Sequence, residues 1–317
     1  MYNLGIDLGG TFVKAGIIDE NNKVLNKCSV PTGVSDGNDA VVDNIVKACE
    51  LAIKEAGLKI DDIANVGIGC PGAVNTDNGV VEISGNLEMR NFPIADKLEK
   101  KLGRKVYIGN DANAAALGEL VAGAAMGAND AVCVTLGTGV GGGVIIGGKL
   151  FSGTNFAGGE LGHTVIFKNG LKCNCGRRGC WEKYASVTAL IRQTKDAMKK
   201  NKDSKMWEIA GGKLENVDGK TSFDAMRAND EAGKEVVRKY IEYVACGVTN
   251  MVNIFQPDVL CIGGGISKEG DTLLKPVYEY VVRERFTKES EKQTKIVMAL
   301  LGNDAGLIGA ANLYREH

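Results

Sequence analysis

YNLGIDLGGTFVKAGII, residues 2–18, is the stretch that decides the fold. Its apolar side chains flank a central Gly-Gly-Thr, a pattern typical of two antiparallel strands joined by a glycine turn. Asp7 lies where the first strand ends. Because Gly9, Gly10 and Thr11 lack bulk, their backbone N–H groups can approach phosphate oxygens, and the threonine hydroxyl can donate as well. The alternative is a plain hairpin turn.

A second stretch, AVCVTLGTGVGGGVIIGGKLF at residues 131–151, repeats this layout of apolar strand, Gly/Thr turn and apolar strand. The repeat predicts an α/β protein with two related halves, each led by a β-hairpin and each supplying one phosphate-binding turn. The Gly-x-Gly-x-x-Gly patterns beginning at Gly67 and Gly137 do not open a helix, which argues against a dinucleotide-binding Rossmann fold. The chain also lacks a P-loop sequence, so a nucleotide site would be of another type.

Hydrophobic periodicity places the remaining elements. A third strand follows residue 20, the first helix is predicted at 37–57, and a short buried strand leads into a Pro-Gly turn at Gly72. Asn86 is predicted to lie in a loop, and Thr221 with Asp224 to form a capping box. Further helices are predicted at 95–102, 112–120, 183–198, 230–254 and 274–285, and a small-residue helix near the C-terminus. The domain boundary is predicted near 117–127.

The composition argues for a small, weakly charged partner. The chain has 317 residues, with 38 basic and 39 acidic side chains, so no global field attracts nucleic acid or an anionic membrane. No apolar run reaches the ~18 residues that span a membrane, and the N-terminus does not resemble a signal peptide. Six of the nine cysteines lie singly in the sequence and are predicted to be free thiols in a reducing cytosol.

The other three cysteines lie in GGELGHTVIFKNGLKCNCGRRGCWE, residues 158–182. Three thiolates and one imidazole at close spacing are typical of a closed, structural zinc site, and four protein ligands leave no position for a catalytic water. The predicted ligands are His163, Cys173, Cys175 and Cys180. The carboxylates of Glu160 and Glu182 flank them, so the metal would hold two acidic groups near each other. Ordinary loop thiols are the alternative.

Two more stretches carry candidate chemistry. In GNDANAAALGEL, Asn110 and Asp111 fall between a predicted strand and an alanine-rich helix, where Asp111 is either a helix cap or a functional carboxylate. In PDVLCIGGGIS, an apolar strand ends in three glycines that include Gly264 and Gly265. Such a flat face can lie against an adenine or a ribose, although a simple strand-to-helix turn also uses glycine.

Together the motifs LGIDLGGTFVKAG, NDANAAALGE, LGTGVGGGVI, GGELGHTVI, CNCGRRGCWE and LCIGGGIS cover nearly the whole chain. In this order they resemble the ROK family of repressors and sugar kinases, and within it the bacterial glucokinases. The resemblance implies a two-domain, actin-like (ribonuclease-H-like) fold with ATP and sugar in the cleft between domains. The small domain would be 1–117, completed by a C-terminal helix at 303–317, and the large domain 118–302.

The resemblance also implies residue roles. Asp111 would be the catalytic base. The sugar would be lined by Gly72, Asn86, Asn110, Asp111, Glu160, His163 and Glu182. The first phosphate loop would be Gly9, Gly10, Thr11 and Lys14, with Asp7 holding Mg²⁺ through water. The second would be Thr135, Gly137, Thr138 and Gly139, while Gly264 and Gly265 would touch the adenosine.

The activity implied is ATP-dependent 6-phosphorylation of a hexose, with glucose and glucose 6-phosphate as the expected pair in glycolysis. Loops 72–92 and 153–160 would decide the sugar, and N-acetylmannosamine, N-acetylglucosamine and allose are alternatives. A regulator that senses sugar without catalysis is the alternative from another class. The first phosphate hairpin begins within a few residues of Met1, and repressors of this family carry a DNA-binding segment ahead of it, which favours the enzyme. The unpaired cysteines favour a cytoplasmic protein, and the resemblance further implies a homo-oligomer, a dimer or tetramer.

Overall fold

The computed structural model describes residues 1–316 and contains two five-stranded sheets and one three-stranded sheet. The first sheet has the order β3-β2-β1-β4-β8. Its antiparallel hairpin β1–β2 pairs Asp7 with Lys14 and Leu8 with Val13, as the opening stretch predicts. β4 runs parallel to β1, and β8 runs parallel to β4. The strands are β1 (Tyr2–Leu8), β2 (Phe12–Ile18), β3 (Val24–Pro31), β4 (Ile63–Cys70) and β8 (Val106–Asn110).

The second five-stranded sheet has the order β11-β10-β9-β12-β13 and begins with the second glycine hairpin. Its strands are β9 (Ala131–Leu136), β10 (Val140–Ile146), β11 (Lys149–Leu150), β12 (Val259–Gly263) and β13 (Lys295–Met298). The small third sheet is antiparallel, with strands β5 (Ala73–Asn75), β6 (Val80–Ser84) and β7 (Met89–Phe92). The two hairpin-led sheets are the predicted duplication.

Ten α-helices accompany the sheets in residues 1–316: α1 (Asn38–Glu55), α2 (Ile94–Leu102), α3 (Asp111–Ala122), α4 (Glu182–Ala185), α5 (Val187–Lys200), α6 (Met206–Ile209), α7 (Thr221–Arg227), α8 (Glu231–Phe255), α9 (Asp271–Glu284) and α10 (Ala305–Ala311). The long helix α8 buries a stripe of apolar residues at helical spacing, including Val237, Tyr240 and Val244. No helix within residues 1–316 has the length and apolar character that a membrane crossing requires.

Two compact units divide the chain. Unit 1 contains residues 1–133, 142–159 and 299–317, and unit 2 contains residues 134–141 and 160–298. In unit 1, α10 packs on both α3 and the first sheet, which explains why the C-terminal residues belong with the N-terminal ones. In unit 2, α5, α7 and α9 pack on α8. The predicted domains 1–117 with 303–317 and 118–302 stay predictions about separable domains, and His317 lies outside the described residues.

Local structure differs from the sequence predictions at two places, whereas Asn86 lies in a loop as predicted, the turn between β6 and β7. The predicted capping box is wrong, because Thr221 is the first residue of α7 and its hydroxyl donates to Asp218 over 2.9 Å. The single helix predicted at 183–198 is two helices, since Ser186 breaks it and caps α5 by accepting from the backbone N–H of Ala189.

Candidate active site and metal centre

The first glycine turn brings its predicted phosphate-binding residues together. The N–H of Gly9 donates to the carbonyl oxygen of Phe12 over 3.0 Å, which closes the turn. Thr32, the residue directly after β3, stabilises the turn further, since its hydroxyl donates to the Gly9 carbonyl oxygen over 2.7 Å. Gly10 and Thr11 are exposed. The turn is therefore rigid at its base and open at its tip, as an anion-binding turn requires.

A salt bridge lies beside this turn. Lys14 Nζ donates to Asp7 Oδ2 over 2.8 Å, and the two side chains are partly exposed. Lys14 is predicted to bind phosphate and Asp7 to hold magnesium, and these two side chains already form an ion pair with each other. An arriving phosphate would share Lys14 with Asp7, and water-mediated magnesium binding suits a carboxylate with one oxygen already engaged.

Asp111 is the first residue of α3, directly after strand β8. The N-terminal end of a helix is a favourable place for a negatively charged side chain. One of its oxygens, Oδ1, accepts from the backbone N–H of Ala112 over 2.9 Å. Burial raises the pKa of the Cys70 thiol, and the negative charges of Asp111 and Asp7 raise it further. The strand register pairs Asp7 with Gly69 and Cys70 with Asn110. The carboxyl ends of three adjacent strands therefore carry Asp7, Cys70 and Asp111.

Asn110, not Asp111, is the N-cap of α3. Its Oδ1 accepts from the backbone N–H groups of Ala112 and Asn113 over 2.9 and 3.1 Å. Its Nδ2 donates to the carbonyl oxygen of Gly72 over 3.0 Å. The cap alternative considered for Asp111 thus applies to its neighbour. Asn110 joins the Gly72 loop to the start of α3, so it positions two of the predicted sugar-binding residues.

Gly72 has a positive φ of 102°, and a Cβ there would overlap the carbonyl oxygen of Ile83. Only glycine fits this backbone and this close approach without strain. Asn86, in the β6–β7 turn, comes near the first glycine turn, because a Cβ built on Gly10 would lie 3.3 Å from its carbonyl oxygen. Unit 1 therefore brings together the first glycine turn, Gly72, Asn86, Asn110 and Asp111.

In unit 2, the second glycine turn at residues 135–139 is closed by a hydrogen bond of 3.0 Å from Gly137 N–H to the Gly139 carbonyl oxygen. Thr138 at its tip is exposed. The three-glycine segment follows β12, which the sheet order places beside β9, the strand that leads into this turn. The hydroxyl of Ser267 donates to the carbonyl oxygen of Gly264 over 2.7 Å and fixes that segment.

The four predicted metal ligands form one cluster in unit 2. The ligand atoms of His163, Cys173, Cys175 and Cys180 all lie within 4.8 Å of one another. The distance from Cys173 Sγ to His163 Nδ1 is 3.7 Å, and from Cys175 Sγ to Cys180 Sγ 3.6 Å. Tetrahedral Zn²⁺ places such ligand atoms about 3.5–3.8 Å apart, given metal–sulfur bonds of about 2.3 Å. The donor set and its spacing therefore fit a zinc ion.

Thiol electrostatics in this cluster are uneven. Burial raises the pKa of Cys180 to about 12, with the neighbouring thiols adding to the effect. At Cys175 desolvation acts in the same direction but is outweighed, because hydrogen bonds from the Arg177 backbone and the adjacent thiols lower its pKa. A cation bound here would displace the protons that the cluster otherwise holds.

The two flanking carboxylates sit against the metal cluster. Glu160 Oε2 lies 3.9 Å from His163 Nε2, while His163 Nδ1 faces Cys173. Glu182 Oε1 lies 4.0 Å from Cys173 Sγ. His163 thus has one ring nitrogen toward the cluster and the other toward a carboxylate, which accommodates both roles predicted for it.

Sequence reasoning missed two side chains that hold this region. Trp181, immediately before Glu182, is fully buried, and its indole N–H donates to the carbonyl oxygen of Tyr243 in α8 over 2.8 Å. Thr188 in α5 donates to the carbonyl oxygen of Thr138 over 2.7 Å. The position of Trp181 next to Cys180 was a usable signal, whereas nothing in the sequence near Thr188 pointed to the second glycine turn.

Two hairpin-led sheets, each with its own glycine turn, and a carboxylate at the end of the first sheet are features of an α/β protein of the actin-like ATPase class. The chain belongs to the ROK family, because the sequence model of that family matches residues 3–317. It is 38% identical over 314 residues to the glucokinase of Thermotoga maritima, covering 99% of this chain and 97% of that one.

Solved structures give the same result. The crystal structure of a ROK family glucokinase from Streptomyces griseus in complex with glucose and AMPPNP has a TM-score of 0.86 and 35% identity, with full coverage of both chains. The ROK hexokinase from Thermus thermophilus has a TM-score of 0.80 and 35% identity, covering 100% of this chain and 99% of that one. The predicted family and fold class are confirmed.

Proposed function

We propose that this protein transfers the γ-phosphoryl group of ATP to the 6-hydroxyl of glucose, giving glucose 6-phosphate, with Asp111 as general base. The observation that carries the proposal is the place of Asp111 at the first residue of α3, at the strand ends that also carry Asp7 and the first glycine turn. Full-length similarity to the Thermotoga maritima glucokinase and to the glucose- and AMPPNP-bound Streptomyces griseus enzyme supports it.

A base is needed because a sugar hydroxyl is a poor nucleophile near neutral pH. Asp111 would accept a hydrogen bond from the terminal hydroxyl and take its proton as the new O–P bond forms. Its position at the N-terminal end of α3 leaves the carboxylate beside backbone N–H groups, one of which it accepts from. Asn110 would hold this helix end against the Gly72 loop, so that base and sugar loop keep a fixed separation.

The remaining acceleration would be electrostatic. The first turn with Lys14 and the second turn at 135–139 would hold phosphate oxygens, and Gly264 with Gly265 would lie against the adenosine. Mg²⁺ bound with the nucleotide would neutralise charge on the phosphates, and Asp7 would hold it through water. Exclusion of water matters as well, since water competes with the sugar as acceptor.

The residues that would bind the sugar are Glu160, His163 and Glu182, with Gly72 and Asn86. Paired carboxylates suit vicinal hydroxyls, because each oxygen accepts a hydrogen bond. Zinc in the cluster of three cysteines and His163 would do no chemistry on the sugar. It would fix the loop that carries the two glutamates, as outer groups around metal ligands commonly do.

The same geometry suits 6-phosphorylation of allose or of an N-acetylhexosamine, so the sugar is tested directly. The experiment is a coupled assay of ATP turnover over glucose, allose, N-acetylmannosamine and N-acetylglucosamine. The proposal predicts the highest kcat/KM for glucose. A higher kcat/KM for another sugar would reassign the substrate. If no sugar of the panel supports ATP turnover, the result would favour a non-catalytic sensor. We further propose a cytoplasmic dimer or tetramer, which size measurement in solution tests.

A further inference from the structure

The second glycine turn is held from outside by the segment that runs from α4 into α5. The backbone N–H of Val187 donates to the carbonyl oxygen of Gly137 over 2.8 Å. One residue later, the Thr188 hydroxyl donates to the carbonyl oxygen of Thr138 over 2.7 Å. Two successive carbonyl groups of the turn are therefore occupied by two successive residues of this segment, which fixes the direction of the peptide planes between them.

Glu182 holds the other end of the turn. Its Oε2 accepts from the backbone N–H of Val140 over 3.2 Å. Gly139 is the residue that permits this contact, since a Cβ there would overlap the Glu182 carboxylate. The other oxygen of the same carboxylate lies 4.0 Å from Cys173 Sγ. One side chain thus contacts both the metal cluster and the glycine turn.

Peptide orientation is what matters for phosphate binding, because the N–H groups of a turn bind an anion only when they point at it. A carbonyl group that accepts a hydrogen bond on one side fixes the N–H of the next residue on the other. The Thr138 carbonyl and the Gly139 N–H belong to the same peptide, so the hydroxyl of Thr188 sets the direction of the Gly139 N–H.

We propose that Thr188 is a positioning residue for the nucleotide: its hydroxyl orients the Thr138–Gly139 peptide so that the second glycine turn binds the phosphates of ATP. The inference rests on the proposed function and adds a residue that affects binding of the nucleotide, through the second glycine turn, and not binding of the sugar. Thr188 is exposed, and the Thr138 carbonyl would be hydrated if the hydroxyl were removed. Loss of the hydroxyl therefore changes the preferred orientation of the turn much more than it changes the stability of the fold.

The test compares Thr188→Val, which keeps the shape and removes the donor, with Thr188→Ser, which keeps the donor. Calorimetric titration with AMPPNP and Mg²⁺, without sugar, measures nucleotide binding directly. Thr188→Val is expected to bind AMPPNP about five-fold more weakly, and Thr188→Ser as tightly as wild type. The KM for ATP should rise in the same proportion while the KM for glucose and the unfolding midpoint stay unchanged.

Equal AMPPNP affinity in wild type and Thr188→Val would overturn this inference and leave the proposed function standing. A parallel rise in both KM values would also overturn it, because it would show a general disturbance of unit 2. If wild type itself fails to bind AMPPNP, the proposed function fails and this inference fails with it. Should Thr188→Val fold poorly, Thr188→Ala provides the same comparison.

Discussion

The Nδ2 atom of Asn110 donates to the carbonyl oxygen of Gly72 over 3.0 Å, while Oδ1 of the same amide caps helix α3. One side chain therefore joins the loop at Gly72, a position that only glycine fits, to the helix that begins with Asp111. Because both ends of the amide are used, neither Ser nor Asp at position 110 reproduces the whole arrangement.

Substitution at Asn110 separates these two functions. Asn110→Ala removes the cap and is expected to lower the free energy of unfolding by about 1 kcal/mol. Asn110→Asp keeps an acceptor for the N–H groups but places a carboxylate oxygen against the Gly72 carbonyl oxygen. We expect its stability to stay closer to wild type and its sugar KM to rise, measured by urea unfolding and steady-state kinetics. Unchanged KM in both variants would contradict a role in holding the Gly72 loop.

Removal of one zinc ligand should affect the sugar side of the reaction. Cys175→Ser leaves three ligands, so we expect metal content measured by atomic emission to fall below half an equivalent and the glucose KM to rise. Cys246→Ser is the matched control, because this thiol lies in α8 outside the cluster. Loss of metal with unchanged sugar kinetics would show that the cluster does not hold Glu160 and Glu182 in place.

The carboxyl group of Asp230 makes the stability of the protein vary with pH in the acid range. Desolvation raises the pKa of this carboxyl, but hydrogen bonds from the Gly233 and Lys205 N–H groups and the Ser204 hydroxyl outweigh it, so the folded-state pKa is lowered. A lowered folded pKa stabilises the protein above the unfolded value of about 3.9, and this contribution disappears as pH falls through the folded pKa. Asp230→Ala should therefore be less stable at pH 7 and show a shallower loss of stability below pH ~4.

The control for that measurement is Asp271→Ala. Asp271 also begins a helix, but it is largely exposed and pairs with Lys275 over 2.9 Å. An exposed pair contributes about 0–1 kcal/mol, so this variant should follow the wild-type pH dependence. Identical acid curves for Asp230→Ala and wild type would refute the assignment.

Gly247 allows Trp181 to pack on α8. A Cβ at Gly247 would overlap the indole ring, and that ring is fully buried. In a helix, alanine is normally more stabilising than glycine by about 1 kcal/mol. Overpacking of the core costs about 1–3 kcal/mol. Since the second term is at least as large, we expect Gly247→Ala to be destabilising or neutral, never stabilising. Thermal unfolding checks the sign, and Gly85→Ala, where a Cβ meets open space, is the control.

Much of the fold could be predicted from the sequence because its signals are local. Residues 2–18 and 131–151 carry the strand pattern and the glycine turn in one contiguous stretch, and His163 with its three cysteines has the donor set of a structural zinc site within 18 residues of sequence. The predicted limits of α1, α2 and α8 lie within two residues of those in the structure for the same reason.

The remainder depended on contacts between distant residues. Either Asn110 or Asp111 satisfies the sequence preference for a helix cap, and only the backbone geometry selects Asn110. The three-stranded sheet around Asn86 was missed because its strands are short and partly exposed. Thr188 is an exposed threonine in a helix, and its contact with Thr138 joins residues 50 positions apart.

The most direct test of the central claim is the turnover number of Asp111→Asn with glucose and ATP, beside glucose binding measured by calorimetry. Asparagine keeps the size and a hydrogen-bonding oxygen but cannot take the proton. We expect glucose binding to persist and kcat to fall by at least about 10²-fold, the scale of a lost general base. Asp96→Asn, an exposed carboxylate in α2, should keep wild-type turnover. Near-normal kcat in Asp111→Asn would contradict the assignment of Asp111 as the base.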